Sequence, residues 1–163
     1  MNYVKKGAHI DASGDYRYKL WRYWADLNKE EHPLIFILLN PSTADVNIDD
    51  ATVRKCVGFA KWNGFNGIVI YNIYAFRATN PDTLRVTNYP EGGRNDLTLA
   101  EISPDSTVIA GWGSHPQARE RAAEVMQMHT QINFSCLGIN KDGSPKHPLY
   151  LPYDSKIVDY KVP

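Results

Sequence analysis

The chain has 163 residues, 43% of them hydrophobic and 22% charged, which suits a single α/β domain over 1–163 with a buried core. Eighteen basic and eighteen acidic residues cancel, which removes the easy case for a strongly basic nucleic-acid binder, although charge can still be segregated on one face. No apolar run reaches the roughly 18 residues of a membrane span and none follows Met-Asn-Tyr-Val-Lys-Lys at the start, so neither membrane contact nor a signal peptide is expected and the cytoplasm is the default location.

In chain order, residues 15–28 come first. They are rich in aromatic and basic residues, with Leu20, Trp24 and Leu27 at helical spacing, and predict a helix packing on a sheet. Pro33–Leu39 is continuously apolar, as a strand buried on both faces should be, and Pro41 ends it because proline cannot donate to a ladder. Asp49 or Asp50 can cap a helix reaching about Trp62, with Val53, Cys56, Val57 and Ala60 on one face. Gly67–Phe76 predicts a second strand, with polar Asn72 within or at the end of its apolar run. Residues 87–94 read as loop and 95–102 as a short helix with Asn95 as a cap. Thr107–Gly111 predicts a third strand, Pro116–Met128 a helix with proline near its start, and Ile132–Leu137 a fourth strand. The tail from Tyr153 carries no strong pattern. Alternating strands and helices predict a three-layer α/β/α sandwich around a central, mainly parallel four-stranded sheet. Cys56 and Cys136 sit in separate apolar segments without CxxC spacing and read as buried free thiols.

Ligands of open α/β sheets bind outside the carboxyl ends of the strands, and three predicted strands end there in polar residues. After the first come Asn40, Pro41, Ser42, Thr43 and Asp45, which can orient water, accept protons or bind a polar ligand. The same cluster also reads as a turn with Asx and Ser/Thr caps. The Asn72 amide can donate and accept at once, as reading a nucleobase edge requires, or can tie two strand ends together. Tyr74 and Arg77 can stack on or clamp a planar or anionic ligand, with core packing as the alternative for the tyrosine. Trp112 and His115 fall at the same presumed edge, His115 reading equally as a structural histidine at a helix start, while Asn95 is a candidate ligand contact that reads first as a helix cap. His147, between Lys146 and Pro148 with Tyr150 nearby, is held in direction by prolines, and an imidazole there can donate to a developing oxyanion. No phosphate loop, dinucleotide fingerprint or HExxH is present, and the histidines lack metal-ligand spacing, so neither cofactor nor metal is implied.

These motifs carry a resemblance. Tyr16-Arg17-Tyr18, Leu38–Asp45 (LLNPSTAD), Asp50–Cys56 (D-x-T-x-R-x-C), Asn72–Pro81, the G-x-x-N-D element ending at Asp96, Trp112-Gly113 and His147–Leu151 (HPLYL) are similar to a bacterial and phage family catalogued only as a domain of unknown function. The order of elements also resembles the uracil-DNA glycosylase superfamily. That second resemblance implies that Asn40, with Asp45 or Asp49, positions water, that Asn72 reads a base, and that His147 is the electrophile. Ser42 stands where that superfamily has glycine and Leu149 where its late motif has serine.

Two functions are therefore expected side by side. One is a glycosylase-like enzyme that cleaves an N-glycosidic bond to a nucleobase, in nucleic acid or a nucleotide. The other is a non-catalytic module that binds a nucleobase-containing ligand or nucleic acid on the same fold, used in phage–host conflict. A protein-interaction module is a third reading, favoured if Trp21, Tyr23 or Trp24 is exposed.

Overall fold

The two longest apolar runs become neighbouring strands at the middle of one sheet. In the computed structural model, which describes residues 2–24 and 30–161, they are β3 (Pro33–Leu38) and β4 (Gly67–Asn72). Around them lie β1 (Lys5–Ile10), β2 (Arg17–Tyr23), β5 (Val108–Ala110), β6 (Phe134–Cys136) and β7 (Val158–Asp159), with helices α1 (Ala51–Trp62), α2 (Asn95–Leu99) and α3 (Ala118–Met128). The seven strands of this mixed α/β fold are ordered β1-β2-β4-β3-β5-β6-β7. The pairs β3/β4, β3/β5 and β5/β6 run parallel, whereas β1/β2, β2/β4 and β6/β7 run antiparallel.

The sheet thus has seven strands where four were expected, and the largest correction lies at the N-terminus. Residues Arg17–Tyr23 form a strand, not part of a helix over 15–28; Leu27 falls outside the described residues. Tyr and Trp favour a pleated, half-buried surface, and this segment lies between two partners that satisfy its backbone on both edges. One partner, Lys-Lys-Gly-Ala-His-Ile in β1, is too polar to announce itself as a strand, as befits a sheet edge.

Alternation along β3 and β4 divides the core in two. Leu34, Phe36 and Leu38 with Ile68 and Ile70 pack under α1, through Val53, Cys56, Val57 and Ala60. Ile35, Ile37, Val69 and Tyr71 pack on the other side with Ala118, Ala122 and Val125 of α3 and Leu99 of α2. Each large apolar side chain buried this way contributes about 1.5–3 kcal/mol. Helix α1 starts where Asp50 accepts the Val53 amide at 2.8 Å, and it stops at Asn63 before Gly64, whose φ of +81° suits glycine. Cys56 and Cys136 are free and buried. No helix among the described residues is long and apolar enough to cross a membrane.

The pairing of β1 with β2 is irregular at one point. Between His9/Lys19 and Ile10/Arg17 the register advances one residue on β1 and two on β2, leaving Tyr18 as a bulge.

Candidate functional site

Residues two apart on a strand share a face, so Asn40 continues the row Leu34, Phe36, Leu38, and Asn72 continues Ile68, Ile70. Leu38 and Asn72 are in register across the parallel pair. Two apolar rows therefore end in asparagines side by side, on the α1 face, at the carboxyl edge of the sheet. Both line a cavity of about 30 Å³ together with Arg17, Ser42, Asp50 and His147. That is room for one or two water-sized groups.

The rows' last residues are held firmly. Asn40 donates through Nδ2 to the carbonyls of Pro41 (3.0 Å) and Ala78 (2.9 Å), which leaves its Oδ1 as an acceptor. Asn72 is 2% exposed, and its Nδ2 has no hydrogen-bond partner. Its carbonyl accepts from Asn95 Nδ2 at 2.9 Å, so the buried Asn95 serves the strand end from behind and is not the cap of α2; that position belongs to Arg94.

His147 arrives from the other side of the chain. The Leu149 amide donates to its Nδ1 at 3.3 Å, so the neutral ring carries its proton on Nε2. Burial holds the imidazole below its ordinary pKa, with Asp50 opposing. The turn Pro148–Tyr150 reaches the sheet only because residue 111 is glycine. A Cβ there would sit 2.9 Å from the Leu38 side chain and 3.1 Å from the Pro148 ring.

Arg17, Asp50 and Thr52 are the polar lining residues that sequence reasoning did not assign to the site. Regular alternation would turn Arg17 toward the side of Lys19 and Trp21, but the Tyr18 bulge returns it to the α1 face beside Leu38 and Ile70. Arg17 is 3% exposed, and its guanidinium donates from Nη1 to the Ala44 carbonyl at 2.8 Å and has an unpartnered Nε. Burial lowers its pKa to about 10, Asp50 raises it, and the charges of Arg77 and Arg22 lower it further; it remains a cation at neutral pH. Asp50 uses one carboxylate oxygen on the α1 cap and lines the cavity. The cavity thus offers donors from Asn72, Arg17 and His147 and acceptors from Asn40 and Asp50.

The other expected residues lie elsewhere. Asp45 and Asp49 are outside the lining. Asp45 Oδ1 accepts the amides of Asn47 and Ile48, which lower its pKa, and Asp49 holds Arg22 at 2.8 Å and the Tyr3 hydroxyl at 2.5 Å. Pro41 is buried, and its carbonyl accepts the Ala78 amide. Thr43 and Arg77 line a separate open trough of about 470 Å³, which meets the cavity at Ser42. Tyr74 is core, its hydroxyl donating to the Gln117 carbonyl at 2.8 Å. Trp112 and His115 border a different cavity, of about 170 Å³, beside α3. Lys146 and Tyr150 are exposed, with the Tyr150 ring 6.4 Å from that of His147. Trp21 and Trp24 are half-buried and Tyr23 is buried. Among the described residues no cluster of three or more His, Cys, Asp or Glu side chains is placed to hold a metal ion.

Fold and site define a mixed α/β protein with a polar cavity at the ends of adjacent parallel strands. The chain belongs to the family described as protein of unknown function (DUF1643), whose model matches residues 17–149. That span takes in every residue of the cavity lining. No curated protein and no solved structure matches the chain.

Proposed function

We propose that the protein is a glycosylase-like enzyme that hydrolyses the N-glycosidic bond of a nucleobase, modified bases included, in nucleic acid or a nucleotide. Its layers and central parallel strands would then correspond to those of uracil-DNA glycosylases. The observation that carries the reading is the meeting of Asn40, Asn72 and His147 at one cavity from three distant parts of the chain. In this reading Asp50, not Asp45 or Asp49, orients the attacking water with Asn40 Oδ1. Water adds to the anomeric carbon as the C–N bond breaks, its proton passing to the Asp50 carboxylate. The bonding pair leaves with the base, whose developing negative charge receives a hydrogen bond from His147 Nε2. Asn72 Nδ2 donates to the base edge. In DNA the base would first have to leave the stack.

The test is base release from nucleotides and from single-stranded and duplex DNA carrying uracil or modified bases. Wild type is expected to release a base, and His147→Ala and Asp50→Asn to lower the rate about 100-fold or more, the usual scale for one group of this kind. Absence of release from every substrate sinks the enzyme reading. A cavity of only about 30 Å³ favours a second reading, a module that binds the polar edge of such a ligand without turnover. Tight binding with no product would identify it.

A further inference from the structure

Resting on the nucleobase reading of the site, we infer that the ligand is phosphorylated, its polar base edge in the cavity and its phosphate in the adjoining trough, at Ser42 and Arg77.

Arg17 and Arg77 are the only guanidiniums among the described residues with a buried, unpartnered Nε. Neither has an acidic side chain within 4.0 Å among those residues, and their charges repel one another. Each is held by a backbone carbonyl instead: Arg17 Nη1 by Ala44 at 2.8 Å, Arg77 Nη1 by Gly14 at 3.0 Å. Two like charges fixed near each other, with Asp50 and Asp45 acting on them only from beyond 4.0 Å, cost stability, and an anion in direct contact relieves that cost. Ser42 lines both the cavity, with Arg17, and the trough, with Arg77, so the two adjoin at that residue.

The carboxylates decide which end takes the anion. Asp50 lines the cavity and repels a second negative group there. Asp45, the acid that feels the Arg77 charge, has its Oδ1 committed to the amides of Asn47 and Ile48. The trough holds about 470 Å³ against about 30 Å³ for the cavity, enough for a sugar and phosphate outside and only a base edge within.

Isothermal titration of the full chain tests this with the deoxynucleosides of uracil, thymine, cytosine, adenine and guanine, their 5′-monophosphates, inorganic phosphate and a single-stranded oligothymidylate. At least one monophosphate is expected to bind tenfold or more tighter than its nucleoside, with inorganic phosphate competing. Arg77→Gln is expected to remove that difference, Arg77→Lys to restore part of it, and thermal unfolding of the free variants confirms that both fold. Tighter binding of the oligonucleotide than of any monophosphate assigns the phosphate to a nucleic-acid backbone; the reverse assigns it to a free nucleotide. Equal affinity for every nucleoside and its monophosphate, no binding by any probe, or an Arg77→Gln variant that keeps the difference overturns the inference. Phosphate-dependent binding without base release leaves it standing and removes the glycosylase reading. Equal turnover of nucleosides and nucleotides does the opposite.

Discussion

Asn72 illustrates how a binding group weakens the protein that carries it. Its buried Nδ2 has no partner among the protein's groups, and withdrawing such a donor from bulk water costs about 1–3 kcal/mol. Asn72→Leu, close in volume, is therefore expected to leave Tm unchanged or raise it while lowering ligand affinity tenfold to a hundredfold; calorimetry and titration on one sample separate the two effects. The buried His129 and the half-buried His147 make a pH prediction. Desolvation lowers the pKa of both His129 and His147 in the folded state. Their unfolded imidazoles titrate near 6.5, so the unfolded chain binds protons first as pH falls. Their contribution is full above about 6.5 and is lost as pH drops through the folded values. Tm measured from pH 8 to 5 should fall on the acid side, and His129→Gln with His147→Gln should flatten that fall.

Elements place these residues, and two contacts between elements are open to test. Gly111→Ala puts a methyl against Leu38 and Pro148 and is expected to cost about 1–3 kcal/mol while displacing His147, so ligand affinity should fall even at temperatures where the variant is folded. Arg22 is fully buried on β2 and ties Asp49, and the carbonyls of Gly7, Trp21 and Asp45, to one guanidinium. Arg22→Ala should lower stability by about 3 kcal/mol in denaturant titration, since Asp49 loses its charge partner. This is also the scale at which sequence and structure part. β3, β4 and α1 were legible because apolar periodicity and the Asp50 cap fix them locally. So was the convergence of Asn40 and Asn72, which follows from period two on parallel strands. The β1–β2 hairpin was not, because β1 is polar and β2 breaks its own alternation at Tyr18. Nor could spacing choose among Asp45, Asp49 and Asp50, three acids on one loop whose roles depend on its path.

For the molecule as a whole, the sheet order predicts a gradient of local stability. β3 lies between two parallel partners and under both core clusters, whereas β1 and the two-residue β7 are edges. Amide hydrogen exchange should be slowest at Ile35–Ile37 and fastest in β1 and β7. Uniform protection across the sheet would contradict that gradient. The bulge at Tyr18 has a consequence of another kind. Arg17 reaches the cavity because of how many residues precede Leu20, whatever their identity. Inserting one residue between His9 and Ile10 would give Tyr18 a partner, restore regular alternation and turn Arg17 out of the site. The cavity's chemistry is thus written partly in chain length, where a one-residue insertion on the neighbouring strand can change a ligand preference without any substitution at the site itself.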